Sequence, residues 1–215
     1  MREEFRSDLG EISKMLVSMA EGVRAAMINA TSALLTSDES TAEMVIARDA
    51  EINATYRLVE DKVYALLAQQ APVASDLRLV LTALHAAADL ERMGDLATLV
   101  ARTARRRIPN CAVPEILTEV FREMGDVADR ISGRIAKALA TSDAALAARL
   151  ERDDDVMDDL HRQLFSVMFS PKWTEGTEAA VDTALLGRFY ERYADHAVNV
   201  GQHVVFLVTG EAFGR

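Results

Sequence analysis

Two stretches, "LERMGDLA" (90–97) and "YERYADHA" (190–197), decide the fold when they are set side by side. They share Glu, Arg, Asp and Ala at equal offsets, 100 positions apart. A second correspondence pairs "LTSD" (35–38) with "ATSD" (140–143) at a shift of 105. At that shift Met19 meets Met124, Ala42 meets Ala147 and Asp49 meets Asp154. The five missing positions fall where "QQAPVASD" (69–76) stands against "SPKWTEGT" (170–177), a loop region, and loops tolerate deletion. Turn residues and acids repeat together, so the chain reads as an internal duplication.

Each copy reads as three helices. Phe5, Leu9, Ile12, Leu16, Met19, Val23 and Met27 recur at three- and four-residue steps, one face of a helix over about 3–35. "TSDES" ends it and offers Ser37 or Asp38 as the cap of a second helix, about 39–70, with the stripe Val45, Ile52, Tyr56, Val59, Val63, Leu66. "APVAS" breaks that helix, and Ser75 caps a third, about 76–107. The two prolines of "IPNCAVP" (108–114) mark the boundary between the copies. The expected fold is all-α: two tandem three-helix bundles, 1–109 and 110–215, related by a pseudo-twofold axis. Glycines inside the helical runs, Gly22, Gly94, Gly133 and Gly201 among them, mark close packing.

Composition narrows the function. The formal net charge is −10 over 215 residues, which repels nucleic-acid backbones. The one short basic run, Arg105–Arg107, closes the third helix and answers its C-terminal dipole. The single cysteine, Cys111, permits no intrachain disulfide and suits a reducing compartment. The charged start and the lack of a long apolar run predict a cytoplasmic protein, with "VVFLV" (204–208) as buried helix.

The acids recur in register. Glu91 and Asp95, and again Glu191 and Asp195, stand four apart, so each pair shares a helix face about 6 Å along the axis. Asp49 and Asn53 on the second helix answer Asp154 and Asp158. If the second and third helices of each copy pack antiparallel, each copy gathers four oxygen-bearing side chains from two helices. Adjacent anions repel unless a cation relieves them. Sulfur-free sites suit hard cations such as Mg²⁺, Mn²⁺ or iron. Gly94 and Ala194, one before each aspartate, leave room for an ion or a neighbouring helix. The competing reading is a solvated acidic face, with Arg92, Arg188 and Arg192 as the acids' partners. Asp89 has Phe189 at its repeat position, so it stands outside the repeated set as an ion-pair candidate. His161 and His196 read as packed or hydrogen-bonded residues before they read as ligands. Trp173 reads as a loop anchor.

"ASDLRLVLTAL" (74–84), "DLERMGDLA" (89–97), "ERYADHAVNV" (191–200), "RDAEIN" (48–53) and "VMDDLHRQLF" (156–165) together resemble the PhoU family over nearly the whole chain. The resemblance implies two three-helix bundles and multinuclear metal clusters held by E/D-x-x-x-D motifs, here Glu91, Asp95, Glu191 and Asp195. Asp49, Asn53, Asp154 and Asp158 look like the positions supplied by the partner helix. Where many members read "ERIGDHA", this chain has Leu96 in the first copy and Tyr193 and Ala194 in the second. Asn53 stands where an acid is expected, which would weaken the first site. The resemblance further implies a homodimeric regulator, not an enzyme. It would link the phosphate ABC transporter to a sensor histidine kinase, keep the starvation response off when phosphate is plentiful, and reach the membrane only through its partners. The rivals are a carboxylate-bridged metalloenzyme, such as a metal-dependent phosphohydrolase, and a structural helical protein with solvated acids.

Overall fold

The computed structural model describes residues 2–70, 72 and 75–210. Helices α1 (Arg2–Thr36), α2 (Glu39–Gln70) and α3 (Ser75–Arg107) form the first copy. A 3₁₀ turn (Glu115–Leu117) leads into α4 (Thr118–Thr141), α5 (Ala144–Ala147), α6 (Leu150–Met168) and α7 (Gly176–Thr209). Among the described residues there is no strand, and no helix is long and apolar enough to cross a membrane. The break expected over 71–75 lies largely outside the described residues, as does the side chain of Ser75.

The duplication is visible in backbone detail. After α1 and after α4 the chain turns through a serine in the left-handed region, Ser37 (φ 54°) and Ser142 (φ 51°). An aspartate then caps the next helix. Asp38 Oδ1 accepts from Thr41 N at 3.2 Å, and Asp143 Oδ1 accepts from Leu146 N at 2.9 Å. Capping satisfies amides that the first turn leaves without intrahelical partners. The same triplet, Thr-Ser-Asp, builds both turns.

The copies then diverge. α2 is one helix of 32 residues, whereas its counterpart is split into α5 (4 residues) and α6 (19 residues). At the split, Leu150 and the Ala147 carbonyl press on Gly201 of α7, where an added Cβ would lie 2.5 Å from Leu150 Cδ1. Only a residue without a side chain admits the broken helix this closely.

Helices α1, α3, α7 and α4 pack in a ring, with α2 against α1 and α3 and α6 against α4 and α7. Ile52 of α2 lies over Gly94 of α3, while Asp49 reaches Thr98, so α2 and α3 run antiparallel. The apolar stripes merge into one core across both copies, containing Val23, Leu90 and Met93 with Phe121, Met124, Tyr190 and Tyr193. Polar groups within that seam are paired. The Tyr190 hydroxyl shares a 2.6 Å hydrogen bond with Thr31 Oγ1. The Tyr193 hydroxyl donates to the Val23 carbonyl at 3.1 Å and meets Ser132 Oγ at 2.7 Å. Burial pushes both phenols well above their ordinary range, so they remain neutral.

The basic run has a role beyond the helix dipole. Arg106 and Arg107 both engage the buried Asp182 of α7, the former at 2.5 Å, and so join the end of α3 to the start of α7. Trp173 packs against the core and donates from Nε1 to the Gly176 carbonyl at 3.3 Å.

Candidate functional site

The motif acids of α3 point along the edge shared with α2. Their helix is held there by Met93 and Leu90, both fully buried, which turn Glu91 and Asp95 outward on the next face. Gly94 resolves toward the neighbouring helix: a Cβ there would meet Ile52 Cδ1 at 3.1 Å. This close approach brings Asp49 and Asn53 of α2 beside the motif. Asn53 donates from Nδ2 to Asp49 Oδ2 at 3.0 Å, and Thr98 donates to Asp49 Oδ1 at 3.2 Å. Burial, then the Asp95 carboxylate, push the Glu91 carboxyl above its ordinary value. Arg92 pulls it back, and Asp49 adds to the push. Glu91 therefore feels Asp95 on its own helix and Asp49 across the α2–α3 edge.

The second copy assembles the same four positions from α6 and α7, with four acids. Asp154 is half-buried, and its carboxyl is pushed up to about 6. The causes are loss of hydration first, then Asp158, Asp195, Asp155 and Glu191. Its Oδ1 is buried with no hydrogen-bond partner. Glu191 is raised by burial and Asp195, opposed by Arg188 and His161, and raised further by Asp158. His161 packs on Phe165 with ring centroids 5.2 Å apart, and its buried Nε2 has no partner.

As the side chains stand, arginines engage the motif acids. Arg92 lies 2.9 Å from Asp95 and 3.5 Å from Glu91, Arg188 pairs with Glu191, and Arg192 lies 3.5 Å from Asp195. Among the described residues no three His, Cys, Asp or Glu side chains are grouped as a ready ligand set. The donor chemistry nonetheless suits a hard cation better in the second copy, where Asp154 feels Asp158, Asp195 and Glu191 and keeps one buried oxygen without a partner. It suits the first copy less well, because Asn53 and Thr98 already occupy both oxygens of Asp49.

Asp89, outside the repeated set, forms the polar seam between α3 and α7. Its carboxylate accepts from His196 Nδ1 at 2.9 Å and pairs with His203 Nε2 at 3.2 Å. The His203 ring stacks on His85, with centroids 5.3 Å apart. Burial alone would raise this carboxyl, but the two imidazoles outweigh it and hold it at about 2. His196 is thus a hydrogen-bonded residue. The pairing was out of reach of the sequence because Asp89 and His196 lie 107 positions apart and at different repeat positions.

Comparison with known proteins gives this architecture its context. The PhoU domain matches residues 16–104 and 121–204. The chain belongs to the PhoU family. A Mycobacterium tuberculosis relative described as phosphate-specific transport system accessory protein PhoU homolog 2 is 44% identical, over 98% of this chain and 99% of its own. The PhoU homolog of Pseudomonas aeruginosa is 30% identical over 97% of this chain and 86% of its own. Two solved PhoU structures share the fold over all of their length. The Pseudomonas aeruginosa protein has a TM-score of 0.85, 28% identity and 96% of this chain covered. The phosphate transport system regulatory protein of Streptococcus pneumoniae has 0.86, 25% and 98%. The two tandem PhoU domains expected from the repeat are thus present as an all-α pair. Tyr193, a departure from the family pattern, is explained by its bonds to Val23 and Ser132, which tie α7 to α1 and α4.

Proposed function

We propose that this chain is the regulatory accessory protein of a phosphate-specific transport system. It acts as a homodimeric cytoplasmic adaptor between the phosphate ABC transporter ATPase subunit and a sensor histidine kinase, and it keeps the phosphate-starvation response off when phosphate is plentiful. The observation that carries this reading is the 44% identity, end to end, with phosphate-specific transport system accessory proteins.

In this reading Asp154, Asp158, Glu191 and Asp195 hold Mg²⁺, Mn²⁺ or iron in the second copy, and Asp49, Asn53, Glu91 and Asp95 do so more weakly in the first. A bound cation offsets the lost hydration and the repulsion that together raise Asp154, and fixes α6 against α7, and α2 against α3, so that the outer helices keep one spacing. No catalytic step is assigned to it.

Deleting the gene should derepress a phosphate-starvation reporter at high phosphate. Unchanged reporter activity would count against the role, and metal-dependent phosphoester turnover by the purified protein would favour the hydrolase reading. Elemental analysis of the purified protein addresses the ligands: Glu191→Ala with Asp195→Ala should remove metal from one half only.

A further inference from the structure

Each motif pair carries its own resident cation. Arg92 Nη1 lies 2.9 Å from Asp95 Oδ2, and its Nε lies 3.5 Å from Glu91 Oε2. Arg188 Nη1 contacts both oxygens of Glu191, and Arg192 Nη1 lies 3.5 Å from Asp195 Oδ2. Exposure is lopsided at the glutamates and more even at the aspartates, where Asp95 and Asp195 are 36% and 39% exposed. The Glu91 and Glu191 side chains are 19% and 14% exposed, whereas Arg92, Arg188 and Arg192 are 63%, 51% and 44% exposed. The glutamates are set into the helix face, and Arg92 and Arg188 reach over them from the solvent side. Withdrawing a guanidinium asks only that a long, mostly hydrated side chain rotate away.

The charges leave a consistent remainder. In the first copy three carboxylates (Asp49, Glu91, Asp95) share one guanidinium, and in the second four (Asp154, Asp158, Glu191, Asp195) share two. At each set of positions the carboxylates outnumber the guanidinium groups by two, an excess that one divalent cation would offset. That cation and the guanidinium groups compete for the same motif oxygens.

We propose that Arg92, Arg188 and Arg192 are built-in competitors of the metal. Each occupies the motif carboxylates in the metal-free protein and turns outward on loading, which sets the metal affinity of its own half. The inference rests on reading the motif acids as metal ligands. Half-exposed ion pairs are weak, so the arginines tune affinity rather than block it. Loading also changes the surface of α3 and α7, freeing guanidinium groups on the helices that carry them. The second copy carries the heavier competition, because the counterpart of Arg188 in the first is Ala88.

The test is Mn²⁺ binding to chelator-stripped full-length protein by equilibrium dialysis. Each half is measured with the other half's motif glutamate and aspartate changed to alanine. Arg92→Gln should tighten Mn²⁺ binding in the first copy about two- to fivefold. Arg188→Gln with Arg192→Gln should tighten it by more in the second, while Arg188→Lys, which keeps the charge, should stay near wild type. Circular dichroism melts establish that each variant is folded. If Mn²⁺ binds and the glutamine variants bind it equally or more weakly, the arginines are not competitors and the inference fails alone. If neither half of the wild-type protein binds Mn²⁺, the metal reading fails and takes the inference with it.

Discussion

The edge between α2 and α3 and the edge between α6 and α7 descend from one plan and have become chemically unequal. In the first, Asn53 replaces an acid and donates to Asp49, Thr98 donates to the other oxygen, and the group is largely satisfied by the protein itself. In the second, Asp154 faces Asp158, Asp195, Asp155 and Glu191, and its buried Oδ1 has no partner. One edge has been settled by hydrogen bonds and the other left charged. The backbone follows the same division, with an unbroken α2 opposite the split α5 and α6.

The largest effect should separate positions 153 and 48, which correspond in the repeat. Asp153 is buried and takes Arg130 at 3.1 Å together with Arg134, so Asp153→Ala strands two guanidinium groups. Because both arginines keep partial access to water, the cost should be about 1–3 kcal/mol in urea unfolding. Arg48, exposed at the corresponding position, should cost within about 0.5 kcal/mol as Arg48→Ala. Equal losses at both positions would remove the claim that α6 depends on this ion pair while α2 does not.

Next, Tyr193→Phe removes a buried hydroxyl bonded to Val23 and Ser132, whereas the corresponding Met93 has no polar group to lose. The expected cost is about 1–2 kcal/mol by thermal or chemical unfolding. No loss would mean that the hydroxyl contributes nothing to the seam.

A pH series on metal-free protein sharpens the contrast further. The Asp154 carboxyl is raised in the fold, so the native state holds its proton more tightly than the unfolded chain. Its contribution to stability is fully present below about pH 4 and is lost as pH rises through about 6. After solvent screening this amounts to about 1 kcal/mol. Asp154→Asn should flatten that part of the stability profile. A mutant profile parallel to wild type over pH 4–6 would show that the crowding is relieved some other way.

The smallest difference is expected at the caps. Asp38→Ala and Asp143→Ala should each cost about 1 kcal/mol, with Asp38 slightly the costlier because its other oxygen also accepts from the Thr41 hydroxyl at 2.6 Å. A strong inequality between them would break the symmetry where it is best preserved.

The sequence by itself determined the elements and their duplication. Helical periodicity, the Thr-Ser-Asp turns and the E-x-x-x-D pairs are local patterns, and local hydrogen bonding and face-burial enforce them within a few residues. The bounds expected for the first three helices agree with the structure to within a residue or two, and the positions of the acids on facing helices followed from helical spacing and antiparallel packing. Tertiary structure alone decided which charges meet. Asp89 with His196 and His203, Asp182 with Arg106 and Arg107, and Tyr193 with Val23 join residues 75 to 170 positions apart. Such pairings depend on how two copies rotate against each other over a shared core. The split of α2's counterpart also belongs to tertiary structure, since Ala, Leu and Arg at 144–150 favour continuous helix and packing against Gly201 accompanies the break.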